Sequence, residues 1–396
     1  MPRAVYILAL GIFAMVTSEF VVAGLMPQIA RGLDATIPQI GYLITVFALA
    51  MALGGPLLSV TLLRLHPRTA LLTLFAVFLT GNILAATATG YTAMAAARII
   101  TGAASQAFFG VALSLGAQLA PTHLRGRAIA VVMNGLMLGT LLGLPASTLI
   151  GEHYGWRAAF WAIAALTLTA AAATLALVPR GQRTTPAGGL RTELRAFTNP
   201  RLWLALSTST LIIGATFSAF SYLNPILTQT TGLPPATVPW LLVAYGAATV
   251  IGNTVVGRLA DRHTLPVLLT GLAANTLFLT AFALLAHHPL PAITAMIGIG
   301  LVGVTMNPAM ITRVQRTAND RPLVTTVHSS FITLGVIIGS AAGGIAITAH
   351  GLRGPLWLGA ALALTGIATL IPDLLRRRTT PPPAPATHPA PTATTR

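Results

Sequence analysis

The sequence predicts an all-α membrane protein whose chain crosses the bilayer twelve times, in two pseudo-symmetric bundles of six helices. Three observations carry that prediction. Only 8% of the 396 residues are charged, against about 25% in an average soluble chain, so there is too little charge to coat a water-facing surface. Apolar runs long enough to span hydrocarbon, about 20 residues, recur along nearly the whole chain. The arginines between those runs alternate between dense and sparse segments.

The first run, 4–26, follows Arg3 and ends at Pro27. It exceeds the roughly 7–15 residues of a signal-peptide core and lacks a small-residue cleavage pattern, so it reads as a retained helix. Runs at 39–63, 69–89, 92–119, 128–150 and 157–178 complete a first bundle, 1–178. The longest polar stretch, 179–200, is rich in Arg, Thr, Gly and Pro and reads as a linker. Runs at 201–224, 237–257, 265–286, 290–312, 322–348 and 353–374 form a second bundle, 201–375. The tail, 376–396, opens on Arg376, Arg377 and Arg378 and continues as Pro/Thr/Ala repeats, a composition expected to be disordered. Its arginines suit the anionic lipid surface.

The formal charge of +16 comes from 23 arginines and no lysine. They lie in small clusters between apolar runs, not along one face, which excludes a nucleic-acid partner. With the N-terminus in the cytoplasm, 19 arginines fall inside and three, Arg31, Arg157 and Arg353, outside; Arg98 alone lies within a run. That asymmetry places both termini in the cytoplasm of a cell with this protein in its inner (plasma) membrane. Cysteine is absent, which excludes disulfides and thiol chemistry. No G-x-x-x-x-G-K-[ST] loop is present and no cofactor is expected, so energy for any uphill work has to come from an ion gradient.

The halves are weakly alike. Gly54, Gly55 and Pro56 lead into a basic turn with Arg64 and Arg68, and Gly252 and Gly257 lead into Arg258, Asp261 and Arg262. Paired six-helix halves are a transporter plan. Further stretches sharpen this: Glu19-Phe20 through Gly24 to Pro27 in the first run; Arg98-Ile99-Ile100-Thr101-Gly102 in the fourth; Arg125-Gly126-Arg127-Ala128; Gly135, Gly139, Gly143 and Pro145, then Gly151, in the fifth; and Gly155-Trp156-Arg157-Ala158-Ala159-Phe160. Together they resemble the major facilitator superfamily in its bacterial drug and sugar efflux branch, nearest in pattern to actinobacterial chloramphenicol exporters. The resemblance covers all but the tail. It implies a monomeric drug:proton antiporter that works by alternating access. It also implies that the fifth-run glycine face packs on the second half and limits leak. One departure stands out. Where the family's first basic loop reads G-x-L-x-D-R-x-G-R-[RK], this chain has Ser59 and Leu63 at the Gly and Asp positions, and His66-Pro67 in place of Gly-Arg. The second copy, Gly257-Arg258-Leu259-Ala260-Asp261-Arg262, is better kept, so a latching acid would be Asp261.

Of seven acids only Glu19 lies deep in a run. An acid in hydrocarbon marks function by default; the other reading is a protonated, hydrogen-bonded side chain that packs helices. At 1.5 Å per residue, Glu19 lies about 12 Å and Arg98 about 9 Å below the outer surface. An ion pair between them, direct or through water, would let Glu19 carry a proton from outside to inside while substrate competes with it. Arg98 has a second reading, an anchor bonded to backbone carbonyls. Gln106, Asn134, Tyr222, Asn224 and Asn307 are candidate substrate-binding groups, with Asn82 beside them and Trp240 and Tyr245 as aromatic surface; each could equally bridge helices. His328, the one histidine within a run, is read as a packing group in preference to a proton relay. Neutral cavity groups favour a small neutral or weakly polar molecule of chloramphenicol type, exchanged for protons. A sugar or nucleoside is the alternative cargo. An intramembrane enzyme lacks the residues for its chemistry, and a sensor lacks an output domain.

Overall fold

The computed structural model describes residues 2–62, 65–121, 124–179, 195–318 and 322–379. Among these the chain is helical throughout, without a strand. Arg64, Leu63, linker residues 180–194 and tail residues 380–396 lie outside the described residues, as does the side chain of Asp261.

Twelve transmembrane helices follow in order. The first bundle holds α1 (Arg3–Gly24), α2 (Ile37–Ser59), α3 (Pro67–Ala86), α4 (Tyr91–Leu119), α5 (Arg125–Tyr154) and α6 (Trp156–Leu177). The second holds α7 (Pro200–Phe220), α8 (Pro235–Ala260), α9 (Arg262–Leu285), α10 (Pro289–Thr317), α11 (Pro322–His350) and α12 (Gly354–Ala368). The last pair is one apolar stretch, Val327–Leu375, folded back at Gly351, whose φ of 67° suits glycine. Local chemistry sets several starts. Thr36 and Gln39 form a capping box before α2, and the Asn199 side chain accepts from Arg201 N at α7.

Several ends differ from the sequence reading. The turn between α8 and α9 shrinks to one non-helical residue, His263, so helix runs almost unbroken from Val238 to Leu285. Arg376 to Thr379, read as disordered tail, continue a helix that starts at Ile371. The run 4–26 ends at Gly24, and a short helix Met26–Gly32 follows. The run 201–224 likewise ends at Phe220, with a bent extension from Leu223 to Thr230. In both breaks a proline, Pro27 or Pro225, withholds the N–H that would continue the ladder.

The arginine-poor ends of the bundles repeat one device. Gly155 and Gly351, both at positive φ, each precede by two residues an arginine at the head of a helix. Arg157 donates to Ala88 O at 2.9 Å, beyond the end of α3, and Arg353 donates to Ala283 O at 2.6 Å, near the end of α9. A helix C-terminus leaves carbonyls unpaired and favours a cation. Two of the three arginines on this face thus cap carbonyls at equivalent places in the two halves.

Candidate transport cavity

The two bundles meet through the arginine-poor halves of their helices. Thr45 Oγ1 of α2 lies 2.8 Å from Ser340 Oγ of α11. Asn224 Nδ2 donates to Gly24 O, a carbonyl freed where α1 breaks. Tyr222, fully buried, packs on Gly41 of α2 and on Gly343 and Gly344 of α11, and its hydroxyl donates to Ser340 O at 2.7 Å. Toward the arginine-rich face the bundles part. Residues 55–62, at and just beyond the end of α2, barely touch α11, and residues 125–138 of α5 barely touch α8. The result is a seal on the arginine-poor side and a crevice toward the other.

At the inner limit of that crevice lies a small cavity, partly open to solvent. The first bundle lines it with Phe20, Thr140 and Leu144; the second with Thr216, Phe217, Phe220, Tyr245 and Thr249, and with Val304, where α10 is interrupted at Gly303. Phe20 meets Phe217 and Phe220 at ring-centroid distances of 6.1 and 5.5 Å, and Phe220 meets Tyr245 at 5.3 Å. Four rings thus form one surface across the bundle boundary.

Glu19 precedes Phe20 on α1 and is partly exposed. Its carboxyl group makes no hydrogen bond or ion pair among the described residues; the one ion pair there is Arg313 with Asp373, at 2.8 Å. Arg98, 1% exposed, instead grips the α1 backbone. Nη1 donates to Ser18 O at 2.6 Å and Nη2 to Glu19 O at 3.0 Å, and the guanidinium lies 4.0 Å over the Phe47 ring. The cation–π contact and the bonds to carbonyl oxygens both stabilise this buried cation, whose Nε is left without a partner.

This architecture can be set beside known proteins. The sequence profile of the Major Facilitator Superfamily matches residues 8–229 and 206–395. The chain belongs to that superfamily. Its curated relatives include a chloramphenicol resistance protein of Streptomyces lividans, 36% identical over 381 residues, covering 94% of this chain and 96% of that one. The inner membrane transport protein YdhP of Escherichia coli (strain K12) is 35% identical over 346 residues, 86% of this chain and 88% of that one. Among solved structures, a bacterial homolog to the human lysosomal transporter Spinster, inward-facing and unoccupied, superposes with a TM-score of 0.76 at 15% identity over 96% of this chain and 98% of that one. The xylose transporter XylE from E. coli, partially occluded and inward open, gives 0.73 at 14% over 93% and 97%. These two show a shared fold.

Within this superfamily fold the residues singled out by sequence fall in different places. The predicted glycine face does not meet the second bundle. Gly135, Gly139 and Gly143 pack on Ala9, Val16 and Thr17 of α1, inside the first bundle. Contact with the second bundle is made by the other side of α5, where Leu141 seats against Gly246 of α8. Pro145 is buried and follows a π-helical turn, Gly139–Gly143. Tyr222 and Asn224 lie in the seal. Gln106 of α4 packs on Gly55 of α2. Asn134 is exposed, two turns from Leu141 on the same face of α5, beyond the point where α8 departs. Asn307 stands half-buried after the break in α10, with its Oδ1 unpaired. Asn82 accepts from Ser18 Oγ at 3.0 Å, and His328 lies 3.0 Å from Ser209 Oγ; both bridge helices. Arg68 donates to Leu175 O, while Gly257, Arg258 and Arg262 are exposed. Sequence reasoning missed Phe20, Phe217, Phe220 and the three threonines. The one available signal was the i, i+3 pair Phe217 and Phe220, which shares a helix face.

Proposed function

We propose that this superfamily member exports a small, neutral or weakly polar drug-like molecule of chloramphenicol type, in exchange for protons, by alternating access. The observation that carries the reading is the aromatic cavity at the bundle boundary with Glu19 next to it on α1. An uncharged aromatic molecule finds stacking surface there, and nothing charged lines it. A sugar has many hydroxyls to satisfy and would lose most of its hydrogen bonds to water in such a lining, so the sugar or nucleoside reading is the weaker one. The 36% identity to a chloramphenicol resistance protein points the same way.

In this reading the protein sits in the plasma membrane with its arginine-rich face and both termini in the cytoplasm, as the excess of arginine on that face favours. The crevice is then the cytoplasmic entrance and the Thr45–Ser340 and Asn224–Gly24 contacts are the external gate. Residues 1–178 and 201–375 rock as two units around the cavity, and a monomer suffices. Glu19 takes a proton when the cavity faces outward and releases it when it faces inward, and substrate on the Phe20 side competes with the protonated state. Arg98 positions the segment that carries the acid. Gly257, Arg258, Asp261 and Arg262 bound the cytoplasmic side, with Arg68 in the first half. The test is a resistance screen in an efflux-deficient bacterial host. Raised tolerance to phenicols supports the reading; unchanged phenicol tolerance with raised tolerance to a toxic sugar or nucleoside analogue overturns it.

A further inference from the structure

Three glycines of the seal close around one tyrosine. Tyr222 follows the end of α7 in the second bundle, is fully buried, and donates its hydroxyl to Ser340 O of the same bundle at 2.7 Å. A Cβ at Gly41 of α2 would strike its hydroxyl oxygen, Cε1 and Cζ. A Cβ at Gly343 of α11 would meet the opposite ring edge, 2.8 Å from Cε2. A Cβ at Gly344 would lie 2.8 Å from the same hydroxyl and 3.0 Å from Cε1 of Tyr42, the residue after Gly41 on α2. A side-chain tip can usually swing away from such a collision. This ring cannot, because its hydroxyl is hydrogen-bonded and a glycine lies against each edge. The collisions at Gly41 and Gly343 differ in one respect. Gly343 and Tyr222 belong to one bundle and stay together whether the seal is shut or open. Gly41 and Tyr222 belong to different bundles and part when it opens.

From this we propose that Gly41 and Tyr222 form a lock that sets the resting state: the bare Cα at position 41 lets the ring seat, and so holds the bundles closed on the arginine-poor side and parted on the other. The inference rests on the reading that the two bundles rock around the cavity, and it adds the contact that decides which way they rest. Glycine is a poorer helix former than alanine, so a methyl group at position 41 favours α2 itself and disfavours only the sealed state. Overpacking of a buried contact moves such an equilibrium toward the outward-open state by about 5- to 100-fold. The same methyl group at position 343 burdens both states alike. It lowers stability and leaves their ratio unchanged.

The test is the distance between spin labels on Arg31→Cys and Ala236→Cys, exposed positions at the arginine-poor ends of the first and second bundles, in the full-length chain, which has no cysteine of its own. Electron–electron double resonance is expected to show mainly the short distance of the shut seal in the labelled parent. Gly41→Ala should raise the ratio of long to short distances by at least about 5-fold. Gly343→Ala should lower the melting temperature and leave that ratio alone. Adding Gly41→Ala to Tyr222→Ala, where the ring is gone, should change nothing further. Equal distributions in the parent and Gly41→Ala overturn the lock, as does a ratio raised equally by Gly343→Ala. Failure of Gly41→Ala to fold also overturns it, because the open state then gives the methyl group no room. A single short distance in the parent and every variant, Tyr222→Ala included, that persists during transport overturns the rocking reading as well.

Discussion

Arg98 holds Glu19 by the main chain: its Nη2 donates to the Glu19 carbonyl oxygen at 3.0 Å, while the Glu19 carboxyl group forms no ion pair among the described residues. The guanidinium spans two successive carbonyls of α1, at Ser18 and Glu19, and stacks on Phe47 of α2. The anchor therefore does not depend on the Glu19 carboxyl group.

The roles of the two residues should separate experimentally. Hydrogen bonds to a charged group contribute about 1.5–3 kcal/mol each, so Arg98→Ala is expected to lower stability by roughly 3 kcal/mol or more, seen as a drop in melting temperature in detergent. Arg98→Lys keeps the charge but not the planar fork and should recover only part of the loss. Glu19→Gln should leave the melting temperature near wild type and remove the response of transport to a pH gradient.

The seal offers a second prediction. Thr45 and Ser340 sit side by side across the bundles at 2.8 Å, and the chain has no cysteine. A Thr45→Cys/Ser340→Cys pair should oxidise to a disulfide when ligand-free, hold the seal shut and stop transport, with recovery on reduction. The measurement is transport before and after dithiothreitol. Activity unaffected by oxidation would mean that this contact does not open in the cycle.

The glycines of α5 give a third. A Cβ at Gly135 would strike the backbone carbonyl of Ala9, which cannot swing aside as a side-chain tip can. Overpacking of this kind costs about 1–3 kcal/mol, so Gly135→Ala should reduce yield and thermal stability. Gly257 has open space where its Cβ would be, and Gly257→Ala should be tolerated in folding. Equal losses at the two positions would contradict the packing account.

What the sequence revealed depended on range. The spans were legible because lipid demands long apolar runs, whatever their neighbours. Arg98 and Glu19 were placed at one depth by counting residues, and the structure does bring the two positions together. The carbonyl grip was one of two open readings, because counting fixes depth and not which atoms meet. The glycine face of α5 meets a different neighbour from the one the resemblance implies, for the same reason. A small-residue stripe shows that something comes close, and α1 rather than the second bundle is what comes. The cavity was hidden because its rings are ordinary apolar residues until Phe20 of one bundle meets Phe217 and Phe220 of the other. The duplicated Gly-x-Arg at Gly155 and Gly351 was present in plain view. It became readable as a repeat only when Arg157 and Arg353 were seen capping equivalent carbonyls. Their alanine variants should accordingly lose similar stability, which paired melting curves would check.

In the proposed cycle an aromatic, neutral molecule leaves through the cavity beside Glu19 in exchange for protons. That exchange is tested most directly in sodium-free proteoliposomes, by imposing a pH gradient and following labelled chloramphenicol moving against its own gradient. Wild type should accumulate the label uphill and collapse to equilibrium when the gradient is discharged, and Glu19→Gln should only equilibrate it. Uphill movement by Glu19→Gln at the wild-type rate, or wild-type transport indifferent to the gradient, would contradict the account.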